Sequence, residues 1–291
     1  YCHLQRSIHG WRWKYYCPAV EWFVHTFCNL KAGENRTKSY SCIKVNDICC
    51  FSFSFSEPSF SLLSPRTIAL IMTEYNYLPL DEQPLTFDEV QNYLRYQQFV
   101  SITFRAHARI EHCRSYLDKK IADTDQPFYG INTGFGFLQN VTIGDDQLEQ
   151  LQNNLLMSHA CGMGDEVPAP IVKLMLMLKI KSLSYGYSGV QIDTVKRLMD
   201  MHNSEVLPVI YQQGSLGASG DLAPLSHLSL PLIGKGEVYY KGTKCSTQEV
   251  LKQLGWDVIR LKSKEGLALI NGTQFMSAYG LYCLVEAERL M

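Results

Sequence analysis

The pattern of apolar and polar residues becomes orderly from Met72, and in several segments apolar residues recur at intervals of three and four, the spacing of one face of a helix. One such series consists of Ile110, Cys113 and Leu117. The pattern predicts helices over residues 104–121, 145–159, 170–185, 191–203 and 247–254, and a long helix after Asn271. Strand-like alternation predicts a short hairpin over residues 236–246. The fold class is therefore predicted to be mainly α.

Local end signals support several of these helices. Thr86 and Glu89 have the spacing of a capping box, so a helix is predicted to begin near Phe87. Pro170 lies where the first turn of another helix is expected, and Gly186 follows its last periodic residue. Met175 and Met177, on different faces of that helix, are interpreted as core filling.

The composition is that of a globular protein with no strong electrostatic partner. Of 291 residues, 46% are hydrophobic and 19% are charged, and the net charge is −1. This balance gives no reason to expect nucleic acid or an anionic membrane surface as a partner. The apolar runs are much shorter than the roughly 18 residues of a membrane span. We expect a cytoplasmic protein.

Residues 1–71 differ in composition from the rest of the chain. They hold six of the ten cysteines and three of the four tryptophans, and every methionine lies at position 72 or later. We expect residues 1–71 to be an extension outside the main fold, which then begins near Met72. A small Cys-rich domain, held by disulfides or a metal, is the alternative, although no C-x-x-C pair supports a zinc site.

A glycine-rich stretch at residues 214–220 can undergo an unusual reaction of its own backbone. Gly214, Gly217 and Gly220 make its backbone conformationally free, at an entropic cost. In a tight bend, the amide nitrogen of Gly220 can attack the carbonyl carbon of Ala218 and close a five-membered ring with loss of water. Ser219 can then lose its hydroxyl as a second water. The product is an electrophilic alkene, the 4-methylideneimidazole-5-one group (MIO).

Three other interpretations of this stretch are open from the residues alone. A Walker loop needs Gly-Lys-Ser/Thr, but Asp221 follows Gly220 and its carboxylate would repel phosphate. A hydrolase elbow, G-x-S-x-G, fails by one position. A plain glycine-rich loop remains, because one short motif is weak evidence.

Five segments in order resemble the histidine ammonia-lyase family, within the MIO-dependent aromatic amino acid lyases. They are FYGINTGFG (128–136), NLLMSHACGMG (154–164), KIKSLSYGYSGV (179–190), GSLGASGDLAPLSHLSLPLIGKGEVYYKG (214–242) and KEGLALINGTQFMSAYG (264–280). The resemblance covers the chain from about residue 125 to its end. It implies an MIO group formed from Ala218, Ser219 and Gly220, with no metal and no pyridoxal phosphate.

The resemblance also implies roles for single residues. Tyr129 matches the family's proposed catalytic base, although a tyrosine here would otherwise be interpreted as a packing residue. Ser158 and His159 form the pair typical of histidine-acting members, so His159 is expected to contact the substrate ring. Asn271 is expected to hydrogen-bond the substrate amine or the MIO ring, although an Asn-Gly pair is most often only a turn. Asp221 is a helix N-cap or assists the cyclisation.

The fold implied by the resemblance is that of the fumarase and aspartase superfamily. It predicts an MIO-bearing domain over residues 72–262 and the start of a central helical bundle at 263–291, truncated before its second half. A homotetramer with shared active sites is the implied assembly. The implied reaction converts L-histidine to urocanate and ammonia. Alternatives are a tyrosine or phenylalanine ammonia-lyase, an aminomutase, an inactive structural or interaction fragment, and, more distantly, a nucleotide-binding module.

Overall fold

The computed structural model describes four strands within the first 76 residues, and then residues 77–123, 126–217 and 220–291. The chain divides into two compact units, Tyr1–Pro79 and Leu80–Met291. The described strands of the first unit form two antiparallel hairpins, β1 (Leu4–Ser7) with β2 (Gly10–Trp13) and β3 (Cys42–Val45) with β4 (Ile48–Phe51). The remainder of the predicted 1–71 extension, with Cys2, Cys17 and Cys28, lies outside the described residues.

The second unit is mainly helical, which confirms the predicted fold class. Its helices are α1 (Phe87–Tyr96), α2 (Phe104–Ala122), α3 (Leu148–His159), α4 (Ala169–Ser184), α5 (Ile192–Asn203), α6 (Leu222–Ser229), α7 (Thr247–Leu254), α8 (Glu265–Ile270) and α9 (Gln274–Leu290). Short strands intervene: β5 (Tyr77–Leu80, at the junction of the units), β6 (Phe99–Ile102), β7 (Met163–Glu166), β8 (Leu207–Pro208), β9 (Tyr211–Gln213), β10 (Glu237–Tyr240) and β11 (Thr243–Ser246). The division into residues 72–262 and 263–291 remains a prediction.

The helix starts follow their local signals. The Thr86 side chain accepts the Glu89 amide at 3.3 Å while the Glu89 carboxylate accepts the Thr86 amide at 2.8 Å, so the predicted capping box is confirmed. Thr103 caps α2 in the same way by accepting the Ala106 amide at 3.2 Å. Each such cap contributes about 1 kcal/mol. The predicted hairpin is also confirmed, with β10 antiparallel to β11 and, in addition, to β8.

One predicted helix begins later than its pattern suggested. Residues Asp145–Gln147 form a 3₁₀ turn, and α3 starts at Leu148. The Gln147 amide donates to the Gly144 carbonyl at 2.9 Å, which closes a three-residue turn. Gln147 provides no side-chain cap, so the helix proper has no strong signal to start earlier.

Helix α4 is the centre of the core. It packs against α9, α5 and α2. The run Leu174–Met177 is completely buried, which confirms that the two methionines fill the core. Burying each such side chain contributes about 2 kcal/mol. The helix also buries Lys179 and Lys181. Among the described residues, no helix is long and apolar enough to cross a membrane.

A buried polar cluster joins α1 and α5. The Tyr93 hydroxyl lies 2.6 Å from His202 Nε2, and His202 Nδ1 lies 2.9 Å from the Asn203 side-chain oxygen. An amide oxygen only accepts, so Nδ1 carries the proton and Nε2 accepts from Tyr93. Burial lowers the pKa of His202 to about 4. The folded protein therefore holds this ring neutral.

We expect the free energy of unfolding to decrease as the pH is lowered, because of His202. Its ordinary pKa of 6.5 is lowered to about 4 in the folded state. The stabilisation is complete above pH 6.5 and is lost as the pH falls toward 4, because the unfolded chain takes up the proton first. The loss is about 3 kcal/mol. Urea unfolding of the protein and of His202→Gln between pH 7 and pH 4 measures it. The same series on the exposed His112→Gln is the control, and identical pH profiles for the protein and His202→Gln would contradict the assignment.

Candidate active site

The short helix α8 lies between the elements that carry the predicted site residues. It packs against both α3 and α6. The Gly266 amide donates to the Gln152 side chain at 2.9 Å, and a Cβ at Gly266 would stand 3.0 Å from Leu155 Cδ2. Only a glycine lets α3 and α8 approach this closely. Helix α3, with His159 at its end, is thereby fixed to α8.

Glu265 fixes the other side of α8. Its fully buried carboxylate accepts the Thr194 hydroxyl at 2.7 Å, the Lys262 amide at 2.7 Å and the Gln191 amide at 3.0 Å. Burial raises the pKa of Glu265, although these donors oppose the shift. The carboxylate also lies at the N-terminus of α8, where the helix dipole favours negative charge. Helices α5 and α8 are therefore held together by a satisfied buried acid.

Tyr129 lies on a loop that packs onto α8. Gly130 has φ of +71°, and a Cβ at this position would overlap Leu267 Cδ1. The Asn132 side chain ties the loop by accepting the Phe128 amide at 2.6 Å and donating to the Gln126 carbonyl at 2.9 Å. The Tyr129 ring is 59% exposed, with its only described ring contact an edge on Phe135. It is therefore accessible to a small molecule.

His159 is the last residue of α3 and is partly exposed. Its Nδ1 lies 2.9 Å from the Leu155 carbonyl, and the Ser158 hydroxyl donates to the same oxygen at 3.1 Å. Because a carbonyl only accepts, Nδ1 carries the proton. The other ring nitrogen, Nε2, is then a hydrogen-bond acceptor in the neutral ring.

His227 was not singled out from the sequence, yet it holds the segment that follows His159. Its Nε2 accepts the Gly162 amide at 3.1 Å, and its ring stands edge-on to Tyr211 at 5.2 Å. Burial lowers the pKa of His227, which keeps Nε2 free to accept. His227 lies on α6, directly after the glycine-rich loop, so the two parts of the site are tied through this bond.

The glycine-rich loop makes a tight turn. Gly220, with φ of +97°, donates its amide to the Gly217 carbonyl at 2.9 Å, and its carbonyl accepts the Leu216 amide at 3.2 Å. Ala218 and Ser219 lie outside the described residues. The two bonds draw together the described residues on either side of Ala218 and Ser219. The residues present are therefore compatible with an MIO group.

The loop lies directly against the residue pair at the end of α8. The Asp221 amide donates to the Gly272 carbonyl at 2.9 Å, and a Cβ at Gly220 would stand 3.1 Å from that oxygen. Asn271 ends α8, where its amide donates to the Leu267 carbonyl at 2.9 Å, and its side chain is exposed. The structure thus places Gly220 against Gly272, the residue that follows Asn271, and it carries the Tyr129 loop and His159 on elements packed against α8.

Asp221 occupies the N-cap position of α6, but its side chain does not cap that helix. The expected capping role is wrong in this respect. The carboxylate accepts the Ser215 hydroxyl at 2.7 Å and the Met276 amide, in the first turn of α9, at 3.1 Å. One buried carboxylate therefore holds the start of the glycine-rich loop and the start of α9 together.

Two cavities in the second unit lie elsewhere. One of about 260 Å³ is lined by residues that include Val167, Leu207 and Tyr239, and one of about 460 Å³ by residues that include Leu148 and Arg260. Neither is lined by Tyr129, His159, Gly220 or Asn271. In the part of the chain that the structure describes, no group of three or more His, Cys, Asp or Glu side chains is placed to hold a metal.

Comparison with known proteins places the chain in a family. The family described as "Aromatic amino acid lyase" matches residues 85–291. The chain belongs to the aromatic amino acid lyases. The match contains the glycine-rich loop, α3, α8 and the Tyr129 loop, so every predicted site residue lies within it.

Individual aromatic amino acid lyases resemble the chain over about two fifths of their own length. Histidine ammonia-lyase of Deinococcus radiodurans is 44% identical over 210 residues, which are 72% of this chain and 40% of that protein. The structure of histidine ammonia-lyase from Trypanosoma cruzi matches with a TM-score of 0.67 and 38% identity, over 74% of this chain and 41% of that one. The structure of Pantoea agglomerans phenylalanine aminomutase matches with a TM-score of 0.68 and 31% identity, over the same shares.

Proposed function

We propose that the protein is an ammonia-lyase that eliminates ammonia from L-histidine to give urocanate. One observation carries the proposal: the hydrogen bond from the Asp221 amide to the Gly272 carbonyl, which ties the end of the glycine-rich turn to the residue that follows Asn271. An electrophile made from that turn would stand beside a side-chain amide that can bind a substrate. The relatives named histidine ammonia-lyase support the choice of histidine.

The turn would supply the electrophile from its own backbone. The Gly220 nitrogen adds to the Ala218 carbonyl carbon, and the carbonyl oxygen leaves as water with the protons of the Gly220 and Ser219 amides. Ser219 then loses its Cα proton and its hydroxyl as a second water. The completed MIO group would provide an electron-poor alkene that makes the substrate nitrogen a better leaving group. We propose no metal and no pyridoxal phosphate for this site.

The other residues bind and deprotonate. Tyr129 would accept the weakly acidic β-proton, as an exposed phenol on a loop fixed to α8. Asn271 would hydrogen-bond the substrate amine or the MIO ring. His159 presents Nε2 as an acceptor, because Nδ1 donates to Leu155. That nitrogen can accept a hydrogen bond from a substrate ring with a donor, such as imidazole N–H or phenol O–H. A phenyl ring has no donor for this hydrogen bond.

Two measurements test the proposal on the protein expressed from its complete gene. Near-ultraviolet absorbance with histidine, tyrosine and phenylalanine in parallel should show the formation of urocanate and the least product from phenylalanine. Intact mass should be lower than the sequence mass by two waters. Absence of the mass deficit in the folded protein would exclude the MIO group, and faster turnover of tyrosine or phenylalanine than of histidine would contradict histidine as the preferred substrate.

Exchange of the Ser158–His159 pair should change substrate preference. In Ser158→His with His159→Leu, the acceptor for the substrate ring is lost, and the pair becomes the one typical of tyrosine-acting members. We expect kcat/KM for histidine to fall about tenfold or more, the cost of one lost hydrogen bond, and the tyrosine-to-histidine ratio to rise. Met157→Leu, at the adjacent exposed position, is the control. An unchanged ratio would remove His159 from substrate selection.

An aminomutase is the second candidate, favoured by the structural match to phenylalanine aminomutase. Such an enzyme returns the amine to the β-carbon and releases a β-amino acid instead of ammonia. Chromatography of the reaction products separates the two functions. We further propose a cytoplasmic homotetramer, which a native mass of four subunits would support.

A further inference from the structure

Lys179 is a buried cation with no part in the proposed chemistry. It lies in the middle of α4, and its side chain is completely buried. Lysine is almost never fully buried without partners, because removal of the ammonium from water is costly. A hydrophobic residue would fit the surrounding core at lower cost. Its contacts must therefore account for its presence.

The partners of Lys179 are backbone carbonyls at the end of α8. Its Nζ donates to the Ala268 carbonyl at 3.2 Å and to the Asn271 carbonyl at 3.3 Å. The last carbonyls of a helix lack partners within the helix, and a cation there interacts favourably with the helix dipole. The last turn of α8 has no basic residue of its own. Lys179 supplies hydrogen-bond donors to these carbonyls from α4.

Asp221 binds the segment that follows Asn271. Burial lowers the pKa of Lys179 to about 7, and the field of Asp221 opposes that shift. The Asp221 amide bonds the Gly272 carbonyl, and its carboxylate bonds the Met276 amide. The chain from Asn271 to Met276 is thus fixed by Lys179 at one end and by Asp221 at two further points.

We infer that Lys179 is a positioning residue of the site: by binding the Ala268 and Asn271 carbonyls, it holds Asn271 in place beside the glycine-rich turn. The inference rests on the proposed function, because it concerns how Asn271 is presented to a substrate. Lys179 itself does not need to touch the substrate. Its effect passes through the backbone of Asn271.

Lys181 provides a matched control on the same helix. It is also buried, and its Nζ also donates to two backbone carbonyls, those of Asp81 and Gln83. These carbonyls belong to the segment before α1, which carries no predicted site residue. Replacement of either lysine by methionine removes a buried cation and two hydrogen bonds. A difference between the two variants therefore reflects where each lysine binds and not a general loss of stability.

The test compares Lys179→Met, Lys181→Met and Lys179→Arg with the parent, in the protein expressed from its complete gene. Hydrogen exchange of the peptide spanning residues 271–276 should be about tenfold faster in Lys179→Met, unchanged in Lys181→Met, and largely restored in Lys179→Arg. In Lys179→Met, kcat/KM should fall about 100-fold, the scale of a 1 Å misplacement, while the two-water mass deficit is retained. Lys181→Met should keep parental kinetics.

Parental exchange and kinetics in Lys179→Met would overturn the inference, and so would equal losses in the two methionine variants. If Lys179→Met does not fold, Lys179→Arg is compared with Lys179→Gln, whose amide is shorter and uncharged. The inference then requires Arg to be closer to the parent. The exchange measurement needs no catalysis. A parent without the mass deficit would therefore refute the proposed function, while the exchange comparison alone would still decide the role of Lys179.

Discussion

Ser219→Ala should leave the protein folded and abolish its ammonia release. Alanine has no hydroxyl to lose, so the second dehydration and the exocyclic alkene are impossible. We expect a loss of at least about 10³-fold in kcat, the equivalent of about 4 kcal/mol in the barrier. The rate of product formation from histidine measures the loss, and the intact mass should be lower than the variant's own sequence mass by one water at most.

Ser229→Ala is the matched control for this variant. Ser229 lies on α6, shortly after the loop, and its hydroxyl donates only to the Leu225 carbonyl of its own helix, at 2.8 Å. Loss of that hydroxyl should leave turnover and the two-water deficit unchanged. Undiminished ammonia release by Ser219→Ala would refute a catalytic alkene at this position.

Tyr129→Phe should reduce kcat by about 10²- to 10⁴-fold, the usual contribution of a positioned general base. The phenyl ring can keep its edge contact with Phe135, because only the hydroxyl is removed. The loss should therefore appear in turnover and not in the melting temperature. Steady-state kinetics with histidine and a thermal unfolding curve measure the two effects.

Tyr116→Phe removes the hydroxyl of a similarly exposed tyrosine from α2, a helix that carries no predicted site residue, and should keep full activity. If Tyr129→Phe also keeps full activity, another group takes the β-proton. If it instead loses its melting transition, Tyr129 is a packing residue.

The helices could be predicted because their signals are local. The Thr86 capping box and the apolar positions of α2 and α5 lie within a few residues of the bonds they specify. The start of α3 was placed too early, because two acidic residues favour a helix start as well as they favour the 3₁₀ turn that is observed. Local composition does not separate these two conformations.

The site could be predicted only in part. The glycine-rich turn, Tyr129, His159 and Asn271 were named through the family resemblance, and the packing of their elements around α8 depends on contacts between distant segments. His227 and Lys179 were missed. His227 and Lys179 each form a hydrogen bond with a backbone group far away in sequence. The sequence of an apolar helix does not indicate whether the Nζ of a lysine within it is buried. Asp221 was assigned to the nearest helix, whereas its carboxylate serves α9.

The bond between the Asp221 amide and the Gly272 carbonyl also affects when, during synthesis of the chain, the proposed electrophile can form. The glycine-rich turn leaves the ribosome before the segment that steadies it has been synthesised. A nascent chain arrested ahead of Gly272 should therefore keep an unmodified Ala-Ser-Gly sequence. On the proposed function, the MIO group would then form late, and a prematurely terminated product would carry no reactive electrophile into the cell.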